Sequence, residues 1–462
     1  MFPRGLVVVI LSLLGTAAYG QGQGKPLPNV LLITVDTLRA DHVSSYGYHL
    51  RTTPNIDKLA ADGVRFDKAY TSIPLTGPSH FSILTSRYAQ EHGARINGRA
   101  TRKDGKLLFL PQVLRRNGYR TAAFVSAWPL TSRLTGLNEF FDHYDEDLSR
   151  KYQMLNSRRF AEDVTPRAIQ WIKNNQKSRF FVWVHYFDPH SPYQDRKEYE
   201  HLKQIGSAPR YPGLNMRDAA TRDRIRQYDA EVAYADHYIG KLLAAVDAMG
   251  LRDDTLVVLA ADHGESLGEH GYIGHGRHLY EDIIHVPLIY RFPGAISKGK
   301  VVREKVSLID VMPTVVDLTI KRHRPDAKLP VELGGHSMAA ALGNGKIEDE
   351  TIRYLTYGGK KGFFPRWVSF LWTDLDARPL QIGRTTGSRK VIWALHDDNL
   401  EVFDLQRDPN ELKPARPKDG SQQYELETAR LDHWYKATES EAGENRMTEH
   451  DVEVLKSLGY LQ

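Results

Sequence analysis

Apolar residues in this chain fall into short unbroken runs, separated by longer stretches where they recur every three or four positions. Runs at 30–35, 121–126, 180–187, 255–261 and 286–290 are too short and too uniformly apolar for surface helices. Their length and composition fit strands buried on both faces, as in a parallel sheet. Helical patterns lie between them. The stretch 53–62 has Pro54 early and Gly63 just past its end, and the long amphipathic stretch 219–249 stops at Gly250. Strand–helix alternation predicts an α/β fold, a mostly parallel sheet sandwiched by helices. In such sheets ligands gather at the carboxyl ends of the strands.

The pattern changes after residue 325. Pro325, Pro330, Gly334 and Gly335 form a linker-like stretch. Beyond it, 389–396 and 400–404 read as two antiparallel strands joined by a turn at 397–399, with a polar helix at 424–442. A catalytic domain over 29–325 and a small C-terminal α+β domain over 326–462 are expected. Before them, Arg4 precedes an apolar run at 6–14, and small residues follow up to Gly20. That run is too short to span a bilayer, so residues 1–20 read as a signal peptide, with Gln21 opening the mature chain. A secreted or periplasmic protein without a stable membrane anchor is expected.

Composition narrows the function. The 462 residues are 41% hydrophobic and 26% charged, as in globular proteins. The net charge of +5 is scattered, with basic pairs only at Arg115-Arg116, Arg158-Arg159 and Lys360-Lys361. No aromatic-interleaved basic stripe marks a nucleic-acid groove, so no nucleic-acid partner is expected. There is no cysteine, hence no disulfide.

Three segments carry candidate chemistry. Asp36 ends the first apolar run, where a carboxylate either projects into the crevice or caps the next helix. Asp262-His263-Gly264-Glu265 ends the 255–261 run, and Glu269, His270, His275 and His278 follow. Adjacent Asp and His ahead of a flexible Gly can face one divalent cation, or else line a polar loop. Between these segments, Thr76-Gly77-Pro78-Ser79-His80 turns a loop into a helix. A hydroxyl at a helix N-terminus sits at the positive end of the dipole, which binds anions and favours an alkoxide, though a Thr there also serves as a simple cap.

In this order the segments resemble the sulfatase family of the alkaline phosphatase superfamily. Asp36-Thr37-Leu38-Arg39-Ala40-Asp41-His42 is similar to its first metal motif, and Thr76 to His80 falls where sulfatases carry Cys/Ser-x-Pro-x-Arg. Asp188-Pro189-His190, the stretch from His275 to Glu281, and Val402 to Glu411 resemble further family signatures. The resemblance implies one divalent metal ion (manganese, zinc or calcium) held by Asp36, Asp262 and His263 with the Thr76 oxygen. It implies a small-molecule or glycan ester substrate, with His190 or His275 protonating the leaving group.

The departures are as informative. Thr76 cannot become the formylglycine that sulfatases make from Cys or Ser. His80 replaces the motif's Arg, and Val125-Ser126-Ala127-Trp128 stands in place of a Gly-Lys-Trp-His signature. Thr76 to Phe81 and Glu91-His92-Gly93 resemble instead the Thr-nucleophile loop of nucleotide pyrophosphatase/phosphodiesterases. Asn97 lies where phosphonate monoester hydrolase-like members place an anion-contacting Asn. No Asp-x-x-x-His pair of the kind that builds a second metal site is evident. A Thr ester must be released by a second in-line attack of water, which favours phosphorus esters over sulfate esters. The alternative is a non-catalytic relative that binds anionic glycans.

Overall fold

The computed structural model describes residues 27–148, 158–199, 211–358, 378–444, 446–448 and 451. The expected signal peptide at 1–20 and the Lys360-Lys361 pair lie outside the described residues. No helix among the described residues is long and apolar enough to cross a membrane.

The core is an eight-stranded sheet built from β1 (Asn29–Val35), β2 (Val64–Tyr70), β3 (Arg120–Phe124), β4 (His143–Asp145), β5 (Phe180–Tyr186), β6 (Thr255–Ala261), β9 (His285–Arg291) and β10 (Lys300–Ser307). A small pair, β7 (Ser266–Leu267) and β8 (Ile273–Gly274), sits in the loop after β6. The spatial order of the large sheet is β10-β2-β9-β6-β1-β5-β3-β4. The strands β1, β5 and β6 are fully buried, as their unbroken apolar runs predict.

One expectation is corrected. The run at 286–290 reads as parallel, yet β9 is antiparallel to both its neighbours, β2 and β6. A strand covered on both faces needs a continuous apolar run whichever way it points, so the run carries no direction. Direction is set by the connection. The segment between β6 and β9 holds the β7–β8 pair, a 3-10 turn at Glu269–Gly271 and the four-residue helix Glu281–Ile284, with no long crossover helix to bring the chain back parallel. The strands β2 and β10 contain charged residues that interrupt any continuous apolar run.

The helices follow their sequence signals. Pro54–Ala61 has Pro at its first position, and Ala219–Ala248 is capped by the Asp218 side chain, which accepts from the Thr221 N–H.

The C-terminal part forms a four-stranded antiparallel sheet of β11 (Ile352–Tyr357), β12 (Pro379–Thr386), β13 (Arg389–Ala394) and β14 (Asn399–Asp404), followed by the helix Gln422–Thr438. The expected hairpin is β13–β14, with Asp398 at φ 54° in its turn. This sheet meets the large one close to Thr76. The Leu355 N–H donates to the Ser72 carbonyl at 3.0 Å, and Ile73 and Leu75 share an apolar cluster with Leu355, Tyr357 and Ile382.

Candidate active site

Strand register brings the two carboxylates together. β1 and β6 are parallel neighbours with Val35 opposite Ala261, so the next residues, Asp36 and Asp262, leave the sheet side by side at its carboxyl edge. Both are fully buried. Burial, with the Asp262 and Glu265 carboxylates nearby, pushes the Asp36 carboxyl well above the usual range; burial does the same to Asp262. Asp262 Oδ1 accepts from the backbone N–H of His263 (2.8 Å) and of Thr37 (3.2 Å). Asp262 Oδ2 and Asp36 Oδ1 find no hydrogen-bond partner among the described residues.

His263 completes the group. Its Nδ1 donates to the Gly264 carbonyl at 2.9 Å, which leaves Nε2 unprotonated. That nitrogen lies 3.5 Å from Asp262 Oδ2 and 3.7 Å from Asp36 Oδ1. Burial, then the neighbouring His275, holds the imidazole well below its ordinary pKa, in the neutral form a metal requires. Two crowded buried carboxylates with orphaned oxygens and a bare imidazole nitrogen fit a divalent cation of the hard-to-borderline class.

Thr76 joins this group from a helix. It is the first residue of the helix Thr76–Thr85, and its Oγ1 stands 3.4 Å from both Asp36 Oδ2 and His263 Nε2. The other hydroxyls of the helix are committed elsewhere. Ser79 donates to the Asp262 carbonyl at 2.8 Å, and Ser82 contacts His92 at 3.2 Å. The backbone N–H groups that follow Thr76 are engaged or absent. Gly77 N–H donates to Asn97 Oδ1 at 2.7 Å, Pro78 has no N–H, and Ser79 N–H bonds to the Leu75 carbonyl. With its oxygen held by Gly77, Asn97 keeps a buried Nδ2 that has no partner among the described residues. A side chain at position 77 would crowd Asn97, since an added Cβ falls 3.1 Å from its Oδ1.

The remaining sequence candidates lie in the same cluster. His275 stacks near His263 with ring centres 4.5 Å apart, and His190 meets His275 edge-on at 4.9 Å. His275 Nδ1 lies 3.4 Å from Glu265 Oε1, and that carboxylate is itself held by Tyr193 (2.7 Å) and Ser191 (3.2 Å). His190 donates from Nδ1 to the Ser191 carbonyl, and burial followed by His275 holds its pKa well below the ordinary value. Asp188 anchors this loop through the Ala161 N–H and Arg196. His80 lies 3.7 Å from Asp262 Oδ2, and burial brings its imidazole down to about 4.

Two neighbours carry no role in the sequence reading. Glu265 sits inside a noted motif but acquires meaning only through its contact with His275. His185 lies on β5 with Nε2 3.4 Å from Asp36 Oδ2. The only sequence trace of His185 is a histidine interrupting an otherwise apolar buried strand.

A large sheet bearing carboxylates, imidazoles and a helix-borne hydroxyl at its carboxyl edge defines an ester hydrolase of the alkaline phosphatase type. The sulfatase family profile matches residues 28–321, and an N-sulphoglucosamine sulphohydrolase C-terminal profile matches 268–433. The chain belongs to the sulfatase family. It is 24% identical to an N-acetylglucosamine-6-O-sulfatase of Bacteroides thetaiotaomicron, over 89% of this chain and 86% of that protein. It is 23% identical to an arylsulfatase of Clostridium perfringens, over 83% and 89%. The solved phosphonate monoester hydrolase of Agrobacterium radiobacter shares the fold with a TM-score of 0.67 at 20% identity, over 89% of this chain and 95% of that one.

Proposed function

We propose that the chain is an exported, metal-dependent hydrolase of anionic esters that uses Thr76 as its nucleophile. The carrying observation is that Thr76 Oγ1 lies inside the carboxylate–imidazole group, 3.4 Å from both Asp36 and His263. Asp36, Asp262 and His263 would hold one divalent ion, which supplies positive charge that favours the ionised hydroxyl and screens the substrate anion.

Thr76 oxygen attacks the phosphorus or sulfur centre in line, its proton directed at Asp36 Oδ2, and the bond to the leaving oxygen breaks. Asn97 Nδ2 donates to a non-bridging oxygen. His275, whose Nδ1 lies 3.4 Å from Glu265 Oε1, gives the proton to the leaving oxygen. The neutral His190, with its proton turned to the Ser191 carbonyl, serves as an acceptor that orients His275 or the substrate. Water then attacks the Thr76 ester from the vacated side and gives its proton to His275, while the bond to Thr76 Oγ1 breaks and Asp36 returns the proton to the released hydroxyl.

A Thr ester has no second hydroxyl for expulsion by elimination, so phosphodiesters and phosphonate monoesters suit the site better than sulfate esters. A sulfate-ester reading is favoured instead by the names of the curated relatives. The purified mature chain, loaded in turn with manganese, zinc and calcium, should be assayed on nitrophenyl phosphate, diester, phosphonate and sulfate substrates. Fastest turnover of the diester or phosphonate supports the primary reading, and fastest turnover of sulfate replaces it with the second. No turnover of any substrate beside tight binding of sulfated glycans would identify a non-catalytic glycan-binding protein. Intact mass of exported protein beginning at Gln21 would establish signal cleavage.

A further inference from the structure

We infer that His80 is a positioning residue for the nucleophile, its ring proton fixed on Nδ1 by a hydrogen-bond chain that starts at Trp183 and ends on the carbonyl of Thr76. The inference rests on Thr76 being the nucleophile.

The chain of bonds can be oriented link by link. The indole N–H of Trp183 is a donor only, and it donates to Thr34 Oγ1 at 2.9 Å. Thr34 Oγ1 in turn lies 2.9 Å from His80 Nε2. On the far side of the ring, His80 Nδ1 lies 2.7 Å from the Thr76 carbonyl oxygen, which can only accept. Nδ1 therefore carries the proton, Nε2 is bare, and the Thr34 hydroxyl donates to it. Every donor and acceptor in the sequence Trp183, Thr34, His80, Thr76 is matched, and all four side chains are buried. Trp183 and Thr34 come from β5 and β1, so the sheet itself sets the tautomer.

This orientation excludes two other roles. His80, His185 and Asp262 have the residue types of a second cation site, adjoining the first. The tautomers oppose it. Both His80 nitrogens are engaged. His185 Nδ1 accepts from the Ser126 backbone N–H at 3.3 Å, which leaves the His185 proton on Nε2, facing Asp36 Oδ2. Neither ring offers a lone pair to an ion there. For the same reason His80 has no proton to pass to a leaving group without breaking its hold on Thr76.

What the His80 ring does is tie down the first turn of the helix. Leu75 at the N-cap supplies no side-chain cap, and the side-chain bond from His80 back to residue 76 holds the peptide unit that aims Thr76 Oγ1 at Asp36 and His263. An attacking oxygen displaced by an ångström loses rate more than affinity.

The test uses the full mature chain and whichever nitrophenyl ester it turns over best. In His80→Asn the amide N–H falls at the Nδ1 position, whereas in His80→Gln it reaches only the Nε2 position. His80→Gln and His80→Ala should lower kcat about 100-fold with KM little changed, and His80→Asn should stay within about tenfold of the parent. Bound metal should remain one equivalent throughout. In the parent protein, nitrogen-15 spectra of labelled histidines should assign His80 to the Nδ1–H tautomer, and Thr34→Val should shift that signal. Equal rates in the Asn and Gln variants, an Nε2–H tautomer in the parent, or two metal equivalents falling to one in His80→Ala would each overturn the inference. If the His80 variants fail to fold, the tautomer of the parent decides. A Thr76→Ala chain that still turns over defeats the nucleophile assignment and this inference with it. An inactive Thr76→Ala beside a fully active His80→Gln defeats the positioning role alone.

Discussion

Asp36 and Asp262 are sequence-distant carboxylates made neighbours by one register, that of Val35 against Ala261 across β1 and β6. Their proximity in a buried site is unfavourable for two anions and favourable once a cation lies between them. Asp262→Ala together with His263→Ala should therefore remove bound metal while the circular dichroism spectrum stays native. Elemental analysis of the purified double variant reads the outcome directly, and an undiminished metal content would remove these residues from the ligand set.

The nucleophile assignment makes a kinetic prediction. Thr76→Ala should lower turnover by roughly three powers of ten, about 4 kcal/mol of barrier. Thr76→Ser keeps the hydroxyl and should retain part of the rate. Mass spectrometry of rapidly quenched parent enzyme should show the adduct on the peptide bearing Thr76. Near-parental rates in Thr76→Ala on every substrate would point instead to direct attack by water.

The pairing of His275 with Glu265 predicts a dependence on the leaving group. His275→Ala should slow alkyl esters about 100-fold and nitrophenyl esters far less, because a good leaving oxygen departs without a proton. Glu265→Gln should show the same pattern more weakly. Equal losses on both substrate classes in His275→Ala would transfer the acid role to another residue.

The two sheets are joined by a buried charge cluster that predicts a stability effect. Lys390 on β13 is fully buried between Glu281 (2.9 Å) and Glu411 (2.6 Å). Lys390→Ala strands the buried Glu411 carboxylate beside the partly buried Glu281 and should cost about 3 kcal/mol in denaturant unfolding. A loss below about 1 kcal/mol would show that water reaches the cluster.

The chain announces its fold where burial is symmetrical and conceals it elsewhere. β1, β5 and β6 are legible because a strand covered on both faces can contain little but apolar residues. The same property hides the direction of β9. β2 is masked by Arg65 and Asp67, which alternate with its apolar residues, and β10 by the charged run Arg303-Glu304-Lys305. Asp36, Thr76, Asp262 and His263 are legible because they end strands or open a helix. Their neighbours Thr34, Trp183 and His185 are not, since their polar atoms meet only through pairings across β1 and β5 and contact with the helix bearing Thr76.

The bond from Leu355 to Ser72 has a consequence for how such proteins can be recombined. Four residues before Thr76, the loop that leads to it is pinned by a strand that arrives from the C-terminal sheet. The linker-like stretch near 325 invites a cut, but the floor of the 71–76 loop is encoded on the other side of it. A chimera that joins this large sheet to another relative's C-terminal sheet would inherit a foreign support beneath Thr76. The two modules are therefore expected to diversify as a matched pair, with exchange tolerated only where β11 and the 71–76 loop travel together.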